Sequence, residues 1–261
     1  MVAIVQPERS VMGTKTAISW TQSTINAWIG CAKVSTECLN CYAETQERRF
    51  KRAVWGRHTP RYKTITAEKT ARELNEKAKL SGQRIRVFMS SESDFFEDNP
   101  QVAPWRVEWW QIVKECTHLD WLILTKRSKE IKDMVPPDFY DGSYSHVHLG
   151  VSVGVKASLF RLDDLRALPN WGGIRWVSGE PLLESLGEIN LNQIDWVIVG
   201  GESTVSNNFR PMEDSWVQEI KDQCESKGVV FFFKQDAARQ GRHSDLFKGR
   251  TFMALPMALD R

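Results

Sequence analysis

Short apolar runs recur along this chain, each separated from the next by an amphipathic stretch or a turn-rich connection. Six runs are of strand length and rich in β-branched or aromatic residues, at 85–90, 121–125, 148–153, 174–178, 196–200 and 229–234. Runs that alternate in this way with helical stretches are typical of βα units, which build parallel sheets. The sequence therefore predicts an α/β fold with six to seven parallel strands, the earliest near 27–30.

Five amphipathic stretches predict helices, at 42–52, 67–80, 104–117, 158–168 and 214–227. In the last of them Cys224 shares an apolar face with Val217 and Ile220, and Gly228 follows where a C-terminal stop is expected. Cys224 is therefore predicted to be a core residue, as is Cys116 in the third helix. Most of the eleven tryptophans fall at apolar positions, so core packing explains them better than ligand binding.

Length and charge limit the organisation of the chain. A chain of 261 residues with a net charge of +2 can bury one large core and carries no strong global field. We predict one domain at 14–256, a flexible N-terminal extension at 1–13 and a tail at 257–261. No run is long enough to span a membrane, and no signal peptide is evident. With five cysteines and no export signal, a cytoplasmic protein without a disulfide framework or membrane partner is predicted.

Three of the five cysteines, Cys31, Cys38 and Cys41, lie in one short segment with the spacing C-x6-C-x2-C. Thiolates are soft ligands, and three of them suit an iron–sulfur cluster with one open iron. Zinc is an alternative, although the nearest histidine, His58, lies outside the usual spacing of a zinc site. A purely structural role as small buried side chains is the third interpretation.

Polar residues follow every predicted strand of this set, at 90–94 (SSESD), 125–127 (TKR), 152 (Ser), 178–181 (SGEP), 200–203 (GGES) and 234–236 (KQD). The carboxyl ends of parallel strands form a common edge where ligands bind, so these residues are expected to meet at one site. Each segment alone is also an ordinary loop start or helix N-cap. Six together favour a shared site, and the three-cysteine segment is expected at the same edge.

The segments CAKVSTECLNCYAE, SESDFFED, LILTKRS, LGVSV, WVSGEPLL, DWVIVGGES, FRPMEDSWVQEIKDQC and FFFKQ occur in this order. In this ordered set the chain resembles a phage-associated three-cysteine family of unknown function, over residues 14–256. That family is regarded as similar to radical S-adenosylmethionine enzymes, with spore photoproduct lyase among its nearer relatives. The resemblance implies a partial (βα) barrel of the radical S-adenosylmethionine type.

The resemblance also implies cofactors. A [4Fe-4S] cluster would be held by Cys31, Cys38 and Cys41, and S-adenosyl-L-methionine would chelate its fourth iron. An electron from a donor such as flavodoxin or ferredoxin would then cleave the sulfonium to give a 5′-deoxyadenosyl radical. The chain departs from the commonest radical motif, which has three residues rather than six between the first two cysteines. This departure lengthens the loop without changing the number of ligands.

With that cofactor in mind, the residues after the second predicted strand become candidates to bind the methionine part of S-adenosylmethionine. Its amine needs acceptors, and the candidates are Ser90, Ser91, Glu92 and Asp94. Its carboxylate needs a cation, for which Lys126 is the candidate.

The later strand ends carry the remaining candidates. Gly200 and Gly201 lack side chains, which would let the adenosine approach the backbone closely. Glu202 would accept a hydrogen bond from ribose or substrate. Glu180 and Lys234 would bind substrate or relay protons, and the alternative for them is a mutual buried ion pair. Glu180, Lys234 and Glu202 are thus the predicted catalytic residues.

A basic segment follows the first predicted helix and points to nucleic acid. Phosphates need cations and bases need rings to stack on, and this segment interleaves the two. Its members are Arg48, Arg49, Lys51, Arg52, Arg57, Arg61 and Lys63, with Phe50, Trp55 and Tyr62. A solvated helix with a buried aromatic edge is the alternative.

The function predicted is therefore a radical enzyme of isomerase or lyase type. Its substrate would be a nucleobase, such as a pyrimidine or modified thymidine, in the modification or repair of phage DNA within the host cytoplasm. The alternative is an iron–sulfur or zinc module that binds nucleic acid, or works only with a phage or host protein partner, without turnover.

Overall fold

Seven parallel strands form the central sheet. The computed structural model describes residues 16–205 and 207–260, so the predicted extension at 1–13 lies outside the described residues. The strands are β1 (Ser23–Ile25), β2 (Ile85–Met89), β3 (Leu119–Thr125), β4 (Val147–Ser152), β5 (Arg175–Gly179), β6 (Trp196–Gly200) and β7 (Val230–Gln235). Each strand pairs with the next along the chain, from β1 at one edge to β7 at the other. The sheet is an open parallel half-barrel, which confirms the α/β class and the strand number.

Helices lie between most of the strands. Those with seven or more residues are α1 (Tyr42–Arg49), α2 (Ala67–Ser81), α3 (Ala103–Glu115), α4 (Phe160–Arg166) and α5 (Asp214–Lys227). All five helix predictions are confirmed, with ends that differ by a few residues. Gly82 and Gly228 follow α2 and α5 in the left-handed conformation, which glycine adopts at little cost. Short helical turns lie at Thr36–Cys38, Ser128–Glu130, Ile131–Met134, Phe139–Ser143, Lys156–Ser158 and Met257–Leu259.

The first strand lies earlier than predicted. The sheet begins at Ser23–Ile25, which pairs with β2, whereas Trp28–Ile29 pairs in antiparallel fashion with Tyr62–Lys63. The prediction of a sheet strand at 27–30 was therefore wrong. Asn26 and Ala27 separate the two, and the side chain of Asn26 accepts a hydrogen bond from the backbone N–H of Glu92 at 2.9 Å. This strand has three residues, and two of them are polar. It therefore contains no apolar run that would predict a strand.

Two further two-stranded ribbons lie near the carboxyl end of the sheet and at the C-terminal part of the chain. Ser203–Thr204 runs parallel to Ala238–Arg239, and Leu246–Phe247 runs antiparallel to Arg250–Thr251. The first ribbon extends the chain beyond the end of β6 and therefore brings later residues to the same edge of the sheet.

The two faces of the sheet bury different cores. The outer face packs against the helices in one large apolar cluster. The inner face carries a second cluster, made largely of the rings of Trp20, Phe88, Trp176, Trp196 and Phe232. Tilted and edge-to-face ring contacts such as these add to the stabilisation from burial. The tryptophans of this cluster therefore pack in the core, as predicted.

The C-terminal segment closes the inner cluster. Leu259 is fully buried there, and its carbonyl oxygen accepts a hydrogen bond from Arg86 at 2.9 Å. The sequence predicts a tail at 257–261 outside the domain, but Ala258 and Leu259 pack against the inner cluster. The physical reason is that Leu255 and Leu259 supply apolar surface that covers rings which would otherwise face solvent.

Gly150 in β4 leaves room for Trp176. A Cβ at position 150 would overlap the indole of Trp176, so we expect Gly150→Ala to lower the free energy of unfolding by about 2–3 kcal/mol. Gly179→Ala is the matched control, because a Cβ there would lie 3.6 Å or more from its neighbours. The control is expected to change stability by less than about 1 kcal/mol. Urea denaturation measures both changes. Equal losses of stability in the two variants would show that the contact with Trp176 does not restrict the side chain at position 150.

Candidate functional site

A cavity of about 690 Å³ lies at the carboxyl ends of the strands, and we call it the strand-end cavity. Its floor includes Trp20 and Phe88 from the inner cluster. Polar residues from successive strand ends line its wall, namely Ser90, Asp94, Lys126, Ser152, Ser178, Glu180 and Lys234. The strand ends therefore meet at one place, as the parallel topology requires. The volume is typical of a site for a small ligand or cofactor.

Residues 31–41, the cysteine loop, form part of the cavity wall. Cys31, Cys38 and Cys41 all line the cavity, and α1 begins directly after Cys41. The three thiols come to one space because the loop makes a helical turn at Thr36–Cys38 before it enters the helix.

Glu37 fixes the middle of the cysteine loop. Its buried Oε1 accepts hydrogen bonds from Gly154 N at 3.1 Å, Ser158 Oγ at 2.8 Å and Arg161 Nη1 at 2.9 Å. These contacts tie the loop to the segment after β4. Burial opposes the charge, but its hydrogen bonds and Arg161 hold the pKa of Glu37 below its usual value. The sequence carries no signal for this role, since a single glutamate has no spacing pattern.

Arg127 contacts the first cysteine and was not among the predicted residues. Its Nη1 lies 3.6 Å from Cys31 Sγ and 3.0 Å from Asp94 Oδ2, and its Nη2 donates to Ala32 O at 2.8 Å. Arg127 therefore links the end of β3 to the cysteine loop. The signal in the sequence is the segment TKR at 125–127, in which the prediction names the neighbouring Lys126.

The thiols differ in their electrostatic surroundings. Burial raises the pKa of Cys31 to about 12, although Arg127 opposes the shift, and burial also raises the pKa of Cys41. The pKa of Cys38 is lowered despite burial, because the charge of Lys126 and backbone hydrogen bonds favour the thiolate. A bound metal ion would deprotonate a coordinating thiol outright. These pKa shifts therefore apply to the thiols in the absence of metal.

Three thiols around one cavity are a suitable donor set for an iron–sulfur cluster. Among the described residues, no group of three or more His, Cys, Asp or Glu side chains is placed to hold a single metal ion. A four-iron cluster instead binds each thiolate at a different iron. One buried oxygen at the same cavity, Ser90 Oγ, has no hydrogen-bond partner within the described part of the chain. A polar ligand atom would satisfy it.

The predicted acceptors after β2 fall into two groups. Ser90 is buried, has a left-handed backbone with φ of 72°, and lines the cavity with a hydroxyl that has no hydrogen-bond partner among residues 16–205 and 207–260. Asp94 instead accepts from Thr125 Oγ1 at 2.7 Å and from Arg127, so its carboxylate is already engaged. Ser91 Oγ bonds with Asn26, and its carbonyl accepts from Tyr42.

Glu92 lies behind the cavity wall, where its buried carboxylate accepts from Gln46 Nε2 at 3.3 Å. The structure thus does not bring Glu92 to the predicted ligand position, because its side chain turns toward α1. Lys126 does line the cavity, and its Nζ lies 3.4 Å from Ser152 Oγ.

Glu180 and Lys234 form an ion pair, which is the alternative stated for them. Both residues also line the strand-end cavity, so the pair faces the space rather than the closed core. A carboxylate and an ammonium in contact can exchange partners with a bound polar ligand. The ion pair and a substrate-binding role are therefore compatible.

Glu202 is occupied by other side chains. It accepts from Asn40 Nδ2 at 2.8 Å, and from the backbone N–H and guanidinium of Arg210. Burial opposes its charge, but these hydrogen bonds and the charge of Arg210 hold the pKa of Glu202 below its usual value. Arg210 also donates to Thr36 O at 2.9 Å. Glu202 thus anchors the cysteine loop, a role that sequence reasoning missed.

Gly200 and Gly201 are not among the residues that line the cavity. A Cβ at Gly201 would overlap the backbone of Ala237, so this glycine is needed for the close approach of two segments. Position 201 therefore requires glycine, as a site of close backbone approach. The approaching group is the backbone of Ala237 and not an adenosine.

The basic segment is partly buried and partly paired. Arg61 is buried against Glu97 with a 2.7 Å contact, so it is not a surface cation. The other paired cations and their partners are Arg48 with Glu44, Arg52 with Glu47 and Lys63 with Glu108. Arg49, Lys51 and Arg57 are exposed, and Trp55 lines the strand-end cavity. The cationic surface is therefore smaller than predicted, but it adjoins the site.

Fold and site together define an α/β protein with a parallel half-barrel and a strand-end cavity lined by a three-cysteine loop. The chain belongs to the family described as protein of unknown function (DUF5131), which matches residues 15–256. Searches of curated proteins and of solved structures each found no match. Within the described ranges, no helix is both long and apolar enough to cross a membrane.

Arg127 supports the site through a buried ion pair, and its removal tests that role. Arg127→Met would leave the buried Asp94 without its cation, while Glu97 would keep Arg61, and should lower the free energy of unfolding by about 3–5 kcal/mol. Arg48→Met is the control, because the Arg48 side chain is 73 % exposed against 8 % for Arg127. The control should change stability by less than about 0.5 kcal/mol. Similar losses in both variants would contradict the assigned role.

Proposed function

We propose that this chain is a radical S-adenosylmethionine enzyme that acts on a nucleobase of phage DNA, in modification or repair by radical rearrangement or lysis. The observation that carries the proposal is the placement of Cys31, Cys38 and Cys41 along the wall of the strand-end cavity. Ligand sites of parallel α/β folds lie at this edge, and three thiolates leave one iron open for a substrate or cofactor.

The three cysteines would hold the [4Fe-4S] cluster, and Glu37, Arg127 and Glu202 would keep their loop in place. When bound, the cluster would supply the electron for reductive cleavage of S-adenosylmethionine. The protein would orient the cofactor at the strand ends.

The methionine part of the cofactor has two complementary partners. Ser90 offers a buried hydroxyl that no described side chain engages, and it can bind the amine. Lys126 lies near Cys38 and Cys41, whose thiolates its charge favours, and it can bind the carboxylate. Asp94 and Glu92, both engaged elsewhere, are left out of this subsite.

The Glu180–Lys234 pair would bind the substrate and relay protons. Either partner can open toward a polar group on a nucleobase, and the pair can then pass a proton across its contact. A pyrimidine carries both donors and acceptors on its edge, which match a carboxylate and an ammonium.

Nucleic acid is the proposed substrate class because exposed cations adjoin the cavity. Arg49, Lys51 and Arg57 can neutralise phosphates, while Trp55 offers a ring at the cavity wall for stacking. A base within a duplex would have to be extruded to reach the strand ends. The same proposal includes an electron donor such as flavodoxin or ferredoxin. It also includes a phage or host protein partner and a cytoplasmic location.

Reconstitution with iron and sulfide under anaerobic conditions tests the ligand assignment. Wild-type protein should bind about four iron atoms per chain, and Cys38→Ala should lose the cluster because it removes one of three ligands. Cys224→Ala is the matched control, since Cys224 is buried in α5 and outside the loop. Retention of full iron content in Cys38→Ala, or preferential binding of zinc, would contradict the assignment and favour a binding module without turnover.

The nucleic-acid proposal predicts a salt-dependent effect. Replacement of Arg49, Lys51 and Arg57 by Gln should weaken binding to single-stranded DNA and reduce the slope of log K against log salt by about 2. Replacement of Lys69, Lys77 and Lys79 by Gln removes the same charge from exposed positions of α2 and serves as the control. Fluorescence anisotropy at several salt concentrations measures both. An unchanged slope in the first variant would remove this surface from the proposal.

A further inference from the structure

A serine and a histidine are hydrogen-bonded at the wall of the strand-end cavity. Ser203 Oγ lies 2.9 Å from His243 Nε2, and both residues line the cavity. The His243 side chain is 14 % exposed, so it is partly shielded but still open to a ligand. Neither residue has a part in the proposed radical chemistry, and the histidine spacing in the sequence gives no indication of the contact.

The other ring nitrogen of His243 defines its tautomer. Nδ1 lies 3.1 Å from the carbonyl oxygen of Asp236, which can only accept a hydrogen bond, so Nδ1 must carry the proton. In the neutral ring Nε2 is then an acceptor, and the hydroxyl of Ser203 donates to it. A hydroxyl, a histidine base and a third group that orients the histidine form the arrangement that activates a serine nucleophile.

The backbone holds the two residues in register. The strand Ser203–Thr204 runs parallel to Ala238–Arg239, and Gln240 N donates to Thr204 O at 2.6 Å. Asp236 N donates to Ser244 O at 2.9 Å, and Ser244 N donates to Asp236 Oδ1 at 2.9 Å. These two bonds close the loop that carries His243. The serine–histidine geometry is therefore set by the fold before any ligand binds.

We propose that Ser203 is a nucleophile, that His243 is its general base, and that the pair hydrolyses carboxylic esters bound in the strand-end cavity. This activity goes beyond the proposed radical function and needs neither iron nor S-adenosylmethionine. Gln240 also lines the cavity and carries an amide donor of the kind that stabilises a developing oxyanion.

The reaction balances with water as the only co-reactant. Ser203 Oγ forms a bond to the carbonyl carbon, and its proton passes to His243 Nε2. The bond from that carbon to the alkoxide breaks, and the alkoxide leaves with the proton from His243. Water then gives a proton to His243 as its oxygen bonds to the acyl carbon. The bond from that carbon to Ser203 Oγ breaks, and Oγ takes the proton from His243, which releases the carboxylic acid and restores both residues. Ester and water become acid and alcohol, and nothing is oxidised or reduced.

Labelling with a fluorophosphonate probe tests the proposal on the full-length protein in air, without iron, sulfide or S-adenosylmethionine. Peptide mass spectrometry should find the probe on Ser203. The labelling rate should fall by about 100-fold or more in His243→Gln, which removes the base. Ser152 is an internal control, because it lines the same cavity but contacts Lys126.

Hydrolysis of p-nitrophenyl acetate gives a second readout, since the rate should fall to the uncatalysed level in Ser203→Ala. No label on Ser203 in the wild-type protein would overturn the proposal. Equal labelling of Ser203 and Ser152, or an unchanged rate in His243→Gln, would do the same. None of these results depends on the cysteine loop, so they leave the proposed radical function to its own test.

Discussion

Three buried carboxylates hold the cysteine loop against the sheet, and the rest of the site depends on them. Glu37 ties the loop to the segment after β4, Glu202 ties it to Arg210 after β6, and Asp94 acts through Arg127, which reaches Ala32 O. Buried charges persist where they are paired and hydrogen-bonded, and each of these is. The cysteine loop contains one short helical turn, and these contacts fix it to segments that follow β3, β4 and β6.

The inner face of the half-barrel changes character along its strands. At one end Trp20, Trp176 and Trp196 fill the space with rings, and Leu259 covers them. At the carboxyl ends the same strands finish in Ser152, Lys234 and other polar residues that line the cavity. Close packing below makes a rigid floor, while the open space above leaves room for a ligand. One sheet therefore serves as both core and binding site.

Periodicity predicted the helices and six of the seven strands because long apolar patterns dominate local structure. It missed β1, in which two of three residues are polar. The meeting of the strand ends followed from parallel topology alone. The separate roles did not, because they depend on partners far away in sequence: Arg127 engages Asp94, Arg210 engages Glu202, and Glu97 buries Arg61. The contact between Ser203 and His243, forty residues apart, was beyond prediction for the same reason.

The central claim is that the cysteine loop supports radical chemistry at the strand ends. The most direct measurement is to reduce the reconstituted protein with dithionite in the presence of S-adenosylmethionine and to assay for 5′-deoxyadenosine by mass spectrometry. The account predicts 5′-deoxyadenosine and methionine from the wild-type protein. Failure of a fully reconstituted, reduced cluster to cleave S-adenosylmethionine would contradict the account.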